Sequence, residues 1–325
     1  MRLIHKPILC NYYVTYRCNA TCNFCDIWEK PSPYISLENV KQNLQDLKKL
    51  GVKVIDFTGG EPLLHREIDQ ILRLAKDFGF ITTLTTNTLL YPKWAEKIKG
   101  LVDMLHFSLD AADQATHDLS RGVACYDSLI SSIALAKSLG ERPDILFTVF
   151  EKNYSDIEAV YERICQPNKL VLILNPVFEY NQRGSSLSVE AMDTALKWGK
   201  RKGVYLNAAF VQLRKDGGNH INAPICKAAS TTIVISPHNK LVLPCYHLGL
   251  EELPIENNLY ALYQSEKVKL QIALEGKHSA CEGCVINCYM QPSFAVEMNK
   301  YWWLALPSTL KYNAMKGTWK SLVGR

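Results

Sequence analysis

The chain has 325 residues, of which 47% are hydrophobic and 21% are charged, and its formal net charge is +5. This composition excludes a disordered or collagen-like chain, and the length suits a large domain, alone or with a small one. No run of about 18 apolar residues is present, which excludes a transmembrane helix. Asn11 interrupts the apolar stretch near the N-terminus. We therefore expect no signal peptide and a cytoplasmic location.

Strand-like and helix-like segments alternate over the first two hundred residues. Apolar or β-branched segments predict strands over 8–14, 54–57, 81–86, 103–109, 145–150 and 170–175. Helical spacing and capping residues predict helices over 36–50, 66–78, 92–99, 126–139, 156–164 and 188–202. Six such units predict an α/β fold with a parallel sheet, in the form of a partial (β/α)6 TIM-like barrel. A closed barrel of eight units would need more chain.

The alternating pattern ends near residue 215. The segment KDGGN (215–219) is rich in turn-forming residues, and two β-rich segments around SPHNK predict a hairpin over 231–244. We therefore predict three parts, which are a barrel over 1–214, a small cysteine-rich module of hairpin and helix over 215–292, and a tail over 293–325.

Eight of the eleven cysteines fall into two groups with metal-ligand spacing. The first group, Cys18, Cys22 and Cys25, lies in a loop after the first predicted strand. Three thiolates suit a centre with one open position, such as the fourth iron of a [4Fe–4S] cluster. The alternative is zinc with a distant fourth ligand, such as His65 or His106.

The second group lies in the predicted cysteine-rich module. Its members are Cys226, Cys245, Cys281, Cys284 and Cys288. The first two stand at the two ends of the predicted hairpin, and the other three form CEGCVINC. Four thiolates complete a closed site, so this group predicts either structural zinc or a further iron–sulfur cluster. Which of the last three cysteines are ligands stays open.

The spacing C-x3-C-x2-C, with Phe24 before the last cysteine, resembles the signature of the radical S-adenosylmethionine (SAM) superfamily. A second motif of that superfamily, GGEP, stands at the end of the second predicted strand and consists of Gly59, Gly60, Glu61 and Pro62. The resemblance extends over 8–200 and implies a [4Fe–4S] cluster whose open iron binds SAM. Glycines let the backbone approach that ligand. Glu61 is the nearest group that would offset the SAM ammonium.

Polar residues at the next strand ends are candidate ligands for the ribose or the methionine carboxylate of SAM. They are Asn87, Ser108 and Asp110.

The second cysteine group resembles the SPASM/twitch extension of radical SAM enzymes, which carries auxiliary iron–sulfur clusters. Lys240 stands where that extension usually has a glycine, and five cysteines are too few for two clusters. The resemblance therefore implies a shortened module with one auxiliary [4Fe–4S] cluster.

The resemblance implies an enzyme that takes one electron from a flavodoxin- or ferredoxin-type reductant and cleaves SAM to methionine and a 5′-deoxyadenosyl radical. That radical abstracts hydrogen from an organic substrate or adds to it.

Cys125 is a candidate hydrogen-atom donor, and the alternative is that it is an ordinary buried residue. A peptide- or protein-modifying maturase and a non-enzymatic iron–sulfur or zinc protein are the alternative functions. The barrel sequence lacks a basic stripe with interleaved aromatic residues, so we expect no nucleic-acid partner.

The tail is basic and aromatic. From Met298 onward it has no acidic residue and carries Lys300, Lys311, Lys316, Lys320 and Arg325. It also holds Tyr301, Trp302, Trp303, Tyr312 and Trp319. These residue types suit a membrane interface, and they predict peripheral contact with the inner face of a membrane and a lipid or lipid-linked substrate. The alternative is that the aromatic residues pack the tail onto the barrel while the lysines face water.

Overall fold

The computed structural model describes residues 3–178 and 187–317. Its strands are β1 (Leu9–Thr15), β2 (Val54–Gly59), β3 (Ile81–Thr86), β4 (Met104–Ser108), β5 (Asp144–Val149), β6 (Leu172–Pro176), β7 (Val204–Tyr205), β8 (Thr232–Ile235), β9 (Lys240–Leu243) and β10 (Glu251–Pro254). They form one sheet in the order β10-β9-β8-β1-β2-β3-β4-β5-β6-β7. Neighbouring strands from β1 to β7 are parallel. Within the described residues β7 and β10 are the two edges, which confirms the predicted partial barrel.

Helices connect the parallel strands. In chain order they are α1 (Leu37–Leu50), α2 (Ile68–Asp77), α3 (Tyr91–Ile98), α4 (Gln114–Arg121), α5 (Tyr126–Ser138), α6 (Ile157–Val160), α7 (Gln166–Asn168), α8 (Val189–Gly199), α9 (Ala208–Lys215), α10 (Ala228–Thr231), α11 (Leu259–Tyr263), α12 (Glu266–Ala273), α13 (Asn287–Val296) and α14 (Lys300–Lys316). Capping residues are present at both ends of α1. The Ser36 side chain accepts a hydrogen bond from the Asn39 backbone N–H, and Gly51 ends the helix with φ 89°. Sequence patterns gave no range for α4, α7 or any helix from α9 onward.

The predicted hairpin is present as β8 and β9, and β10 adds a third strand that was not predicted. β8 also pairs in parallel with β1, where Leu9 is opposite Thr232 and Tyr12 is opposite Ile235. The hairpin therefore continues the barrel sheet beyond β1. Residue periodicity indicates where strands are but not which strands pair, so the sequence could not show this junction. The three-part division of the chain stays a prediction.

Two apolar clusters lie on opposite sides of β1. Cys10, Tyr12 and Val14 belong to the core between the sheet and the outer helices. Tyr13 belongs to a second cluster with residues of the C-terminal region, among them Tyr246 and Tyr289. Because successive strand residues face opposite sides of a sheet, the C-terminal region packs against the inner face of the barrel.

The tail helix α14 packs onto the barrel, as the alternative expectation proposed for its aromatic residues. The Tyr312 hydroxyl donates to Asp144 (2.6 Å), and Tyr205 lies against the Tyr312 ring. The described tail lysines also bind the barrel. Lys316 pairs with Asp144 (2.9 Å), and Lys311 donates to the carbonyls of Gly199 and Arg201 (2.6 Å each).

Lys300 pairs in the same way with Asp216 at 2.6 Å. The three described tail lysines therefore have partners in the barrel, although Lys300 is still 58% exposed and Trp303 59% exposed. Peripheral contact of the tail with a membrane stays a prediction. Trp319, Lys320 and Arg325 lie outside the described residues. In the part of the chain that the structure describes, no helix has the length and apolar character needed to cross a bilayer.

Candidate active site

The loop that carries Cys18, Cys22 and Cys25 leaves β1 and lies against the end of α4. The backbone N–H of Thr21 donates to the Arg121 carbonyl (3.1 Å), and that of Asn23 donates to the Ser120 carbonyl (3.2 Å). Gly122 ends α4 with φ 65°, and a Cβ at this position would overlap Thr21. A helix that sequence patterns missed therefore fixes the position of the cysteine loop.

Arg121 links this loop to the predicted ligand Asp110. Its Nη1 lies 4.0 Å from the Cys22 Sγ, and its Nε lies 2.7 Å from Asp110 Oδ2. Both side chains are buried, and the guanidinium also lies over the Phe24 ring at 5.4 Å. Asp110 therefore already has a charged partner inside the protein. The only sequence signal for Arg121 is its position, followed by Gly122, after the fourth strand.

The two glycines of GGEP let the end of β2 approach the end of β1. A Cβ at Gly59 would overlap the Thr15 carbonyl oxygen, and one at Gly60 would overlap that of Arg17. Two backbone hydrogen bonds hold the contact, from Gly60 N to Thr15 O (3.0 Å) and from Glu61 N to Arg17 O (2.9 Å). The sequence-based reason for these glycines was approach to SAM. The structure adds that the chain itself requires them.

Glu61 is 1% exposed and connects GGEP to the end of β3. One carboxylate oxygen accepts from Leu63 N (3.0 Å) and the other from Asn87 N (2.9 Å). Burial raises the pKa of Glu61 to about 7. The Asn87 side chain donates in turn to Asn19 Oδ1 (2.7 Å) in the cysteine loop. Asn19 was not predicted, because no sequence signal beyond its place between two cysteines singles it out.

Pro62 and Ser108, the remaining predicted residues of this group, are also at strand ends. Pro62 begins a single 3-10 turn, Pro62–Leu64, directly after Glu61. Ser108 is the last residue of β4 and is buried. All seven predicted SAM-binding residues therefore follow or end β2, β3 and β4, at the carboxyl edge of the sheet where ligands of parallel α/β sheets bind.

Cys125 is buried against His117, and its Sγ lies 3.3 Å from His117 Nε2. Burial raises the pKa of the Cys125 thiol to about 12. Potential ligand atoms of His117, Asp118 and Cys125 lie within 4.8 Å of one another. Protein groups already use them, since His117 Nδ1 accepts from Asp110 N and Asp118 Oδ1 accepts from Cys125 N. The raised pKa keeps the thiol protonated, and the role of Cys125 as a hydrogen-atom donor stays a prediction.

Asn219 organises the second cysteine group. It is fully buried, and its Oδ1 accepts from the backbone N–H of Cys226 (3.0 Å). Its Nδ2 donates to the carbonyls of Gly276 (2.8 Å) and Cys281 (3.1 Å). Its backbone N–H donates to the Cys284 carbonyl (3.0 Å). One side chain thus joins three segments of the group, although the sequence indicated only a turn-rich linker here.

The sulfurs of the two cysteine groups are not gathered as closely as a single zinc ion requires. Among the described residues, none of the eight predicted cysteine ligands belongs to a set of three ligand atoms within 4.8 Å of one another. A zinc ion that holds thiolates at about 2.3 Å requires sulfurs ~3.8 Å apart. The described thiolates are thus not gathered for a single zinc ion. A set of three thiolates in one loop and a second set of five are donors that iron–sulfur clusters take, one thiolate to each iron.

The distant histidines do not complete a zinc site at the first group. His65 Nε2 lies 2.7 Å from the Ile35 carbonyl, and its Nδ1 accepts from Glu67 N. His106 lies 3.7 Å from Asp144, near the tail helix. Both imidazoles are therefore engaged elsewhere in the protein.

A cavity of about 250 Å³ lies between the two cysteine groups. Cys25 and Gly59 line one side, and Tyr246 and His247 line another. Tyr246 follows Cys245 in the chain, and His247 Nε2 lies 3.8 Å from the Cys288 Sγ. Burial lowers the pKa of His247 to about 3, so its imidazole is neutral at pH 7. No lysine or arginine is among the described residues that line this cavity.

Curated relatives resemble much of the chain at low identity. A probable GTP 3′,8-cyclase of Sulfurisphaera tokodaii is 26% identical over 89% of this chain and 94% of its own length. The antilisterial bacteriocin subtilosin biosynthesis protein AlbA of Bacillus subtilis is 26% identical over 80% of this chain and 59% of its own length. Other curated relatives match shorter stretches, and the chain spans between 34% and 57% of their length.

Solved structures share the fold. Streptococcus suis SuiB bound to the precursor peptide SuiA has a TM-score of 0.68 at 17% identity, covering 83% of this chain and 67% of its own. The protein anSMEcpe with bound AdoMet has a TM-score of 0.65 at 17% identity, covering 98% of this chain and 94% of its own. The shared fold extends from the barrel into the C-terminal cysteine-rich part, which is a SPASM-like module.

A family model matches residues 12–164, from β1 into the segment between α6 and α7. The matched region contains the cysteine loop, GGEP and the ends of the first four strands. The description of that model is the radical SAM superfamily, whose cofactors are a [4Fe–4S] cluster and SAM. The motif, the sheet and the family model agree, and the chain belongs to the radical SAM superfamily of enzymes.

Proposed function

We propose that the chain cleaves SAM reductively and uses the resulting radical to modify a peptide or protein. Cys18, Cys22 and Cys25 would hold the SAM-binding cluster, because they share one loop that α4 fixes in place. A [4Fe–4S] cluster held there would supply the one-electron chemistry that splits SAM into methionine and a 5′-deoxyadenosyl radical. An external one-electron reductant has to provide that electron.

Residues at the carboxyl edge of the sheet would orient SAM. Glu61 holds the ends of β2 and β3 together and carries the carboxylate proposed to face the SAM ammonium. Asn87, Ser108 and Asp110 are the proposed contacts for the ribose or the methionine carboxylate. Asp110 is kept in position by Arg121 and by the backbone N–H of Thr148 at 3.2 Å.

The observation that carries the proposal is the position of the cavity between the two cysteine groups. A substrate in this space contacts the side where SAM would be cleaved and also the side formed by Tyr246 and His247. The aromatic lining, which includes Phe24 and Phe178, excludes water from a reactive radical.

A peptide or protein is the substrate class with the most support. The relative AlbA is named for bacteriocin biosynthesis, and SuiB was solved with a precursor peptide. A second structure of anSMEcpe contains a peptide together with AdoMet. The residues that line the cavity are largely apolar, which suits an amino-acid side chain. Lys30 lies against the lining residue Tyr246 and Arg121 lies over the lining residue Phe24, so GTP, suggested by the similarity to a probable GTP 3′,8-cyclase, is kept as the competing substrate.

A lipid or lipid-linked substrate has lost its main support. That expectation depended on a basic tail at a membrane, and the described tail lysines bind Asp216, Asp144 and barrel carbonyls instead. We therefore replace the lipid substrate by a peptide or protein as the leading proposal.

Within the second group, we propose that Cys226, Cys245, Cys281 and Cys284 hold one auxiliary [4Fe–4S] cluster. Asn219 binds the backbone of three of these four residues. Cys245 and Cys288 both lie outside that network. We choose Cys245 as the fourth ligand because Cys288, the second residue of α13, already has its Sγ near His247. Four thiolates complete the coordination of such a cluster, so the fifth cysteine is not needed as a ligand.

The test of the reaction uses protein purified without oxygen, SAM and dithionite. The protein alone should release some 5′-deoxyadenosine, and a library of ribosomally made peptides should raise that release. Mass spectrometry should then find modified peptides in proportion to the additional 5′-deoxyadenosine. GTP serves as the competing substrate in a parallel reaction. Consumption of GTP, or no 5′-deoxyadenosine from protein with intact clusters, would contradict the proposal.

A further inference from the structure

Arg214 is a partly buried cation beside the second cysteine group, and it does not line the cavity described above. It lies near the end of α9, where its Nη1 donates to the Phe210 carbonyl (3.0 Å) of the same helix. Its Nη2 faces four further acceptors, which are the carbonyl oxygens of Pro176 (3.0 Å), Val177 (3.0 Å) and Val285 (3.4 Å), and Asn287 Oδ1 (3.1 Å). One guanidinium thus joins the end of β6 to the segment that follows Cys284.

All of these acceptors are neutral. Burial lowers the pKa of Arg214 to about 10, and the ionisable group that opposes this effect is the Cys284 thiol. In the described part of the chain, no carboxylate pairs with this guanidinium. Carbonyl oxygens satisfy the N–H donors but leave the charge itself without a partner, and buried charges in proteins are normally paired.

A cluster at the second cysteine group would supply the missing negative charge. Four cysteine thiolates on a [4Fe–4S] core give a net anion, and nearby charge is one of the factors that set the reduction potential of such a cluster. The segment from Cys284 to Asn287 carries both a proposed ligand and two of the Arg214 contacts. The cation is therefore held next to the ligand loop by the same hydrogen bonds that define the loop's shape.

We propose that Arg214 is a positioning residue for the auxiliary cluster, whose charge it offsets and whose reduction potential it raises. The inference rests on the auxiliary cluster of the proposed function. Reduction adds one negative charge to the cluster, so a fixed positive charge stabilises the reduced form more than the oxidised form. Loss of that charge therefore lowers the reduction potential.

The experiment isolates the auxiliary cluster in full-length protein by replacing Cys18, Cys22 and Cys25 with alanine. Arg214→Gln removes the positive charge but keeps a hydrogen-bonding side chain. Arg214→Lys keeps the positive charge but replaces the planar guanidinium, with its several N–H donors, by an ammonium group. Arg201→Gln is the matched control, because Arg201 is exposed and stacks on Trp198 at 4.3 Å. Iron content is measured first, and an EPR-monitored redox titration with dithionite then gives the potential.

We expect full iron and an unchanged potential for Arg201→Gln, a lower potential for Arg214→Gln, and a potential near that of the parent protein for Arg214→Lys. If Arg214→Gln loses the auxiliary cluster and Arg214→Lys retains it, the result also supports the need for a positive charge at this position. An unchanged potential in Arg214→Gln, or equal shifts or losses in both variants, overturns the inference. Absence of auxiliary iron from the parent protein overturns the proposed function as well, whereas an intact cluster with an unchanged potential overturns the inference alone.

Discussion

Glu61 is a buried carboxylate whose charge changes near neutral pH. Burial raises its pKa to about 7, so the side chain is neutral below that pH and offers no charge to the SAM ammonium. SAM affinity should therefore fall as the pH drops below 7, by up to about tenfold per pH unit. Glu61→Gln should bind SAM weakly at every pH and lose this dependence while retaining the first cluster.

Equilibrium dialysis of SAM between about pH 5.5 and 8.5, with iron measured in each sample, tests this prediction. Glu141→Gln is the control, since this carboxylate caps Gly100 on the outside of the barrel. A Glu61→Gln protein that keeps the pH dependence of the parent would show that another group controls SAM binding.

Two cysteines of the second group should respond differently to substitution. Cys226→Ala removes a proposed ligand and should eliminate the auxiliary cluster, which is about half of the bound iron, while 5′-deoxyadenosine release continues. Cys288→Ala should retain the iron, because its Sγ contacts His247 outside the Asn219 network. Iron analysis and EPR of the two variants measure the outcome. Loss of iron from Cys288→Ala alone would assign the fourth ligand to Cys288.

At the scale of elements, α4 supports the first cysteine loop through Gly122. Gly122→Ala places a methyl group against Thr21 at a backbone angle of φ 65°, so the loop has to move. We expect it to lose the SAM-binding cluster and SAM cleavage. Gly100→Ala is the control, because its φ of 71° imposes similar strain, about 1 kcal/mol, while its Cβ meets nothing within 4 Å.

Iron content, 5′-deoxyadenosine release and urea unfolding of both glycine variants test the role of α4. Gly100→Ala should be slightly less stable and fully loaded with iron. If Gly122→Ala also keeps all its iron, the contact between α4 and Thr21 does not position the cluster.

The tail helix α14 places Lys316 beside Asp144, at the start of β5. Asp144 is 1% exposed and pairs there with Lys316, so Lys316→Met leaves a buried carboxylate with one fewer partner. We expect the free energy of unfolding to fall by roughly 2–4 kcal/mol. Lys300→Met on the same helix should cost at most about 1 kcal/mol, because Lys300 is 58% exposed where it pairs with Asp216.

Urea unfolding measures both lysine variants, and flotation with anionic liposomes measures membrane contact. The parent protein should stay with the unbound fraction, because its described tail lysines have partners in the barrel. Equal stability of the two variants would contradict the stabilising role of Lys316 beside Asp144, and flotation of the parent protein would restore the membrane interpretation of the tail.

At the scale of the whole molecule, the two cysteine groups predict two [4Fe–4S] clusters and so roughly eight irons per chain. Alanine at Cys18, Cys22 and Cys25 together should leave about half of that iron and no SAM cleavage, since the second group is held by its own contacts. Metal analysis of anaerobically purified protein provides the measurement. Zinc without iron in the parent protein would contradict both cluster assignments.

The sequence predicts what depends on local patterns. Six βα units follow from residue periodicity, and the first cysteine group follows from short spacing within one loop. Contacts between distant segments left no local pattern, so the pairing of β8 with β1 and the roles of Asn219 and Arg214 were missed. The tail shows a different limit. Lysine beside tryptophan and tyrosine suits a membrane interface and a barrel surface equally well, and only partners such as Asp144 distinguish them.

The pairing of β1 with β8 has a consequence for the order of folding. Leu9, near the start of the chain, is opposite Thr232, so most of the chain has to be synthesised before this edge of β1 gains its neighbour. Until then β1 presents open backbone groups to other chains, which is a known route to aggregation. Contacts of such long sequence separation also slow folding. During translation, the strand that leads to the first cysteine loop is therefore the inner strand of the sheet that waits longest for its second neighbour.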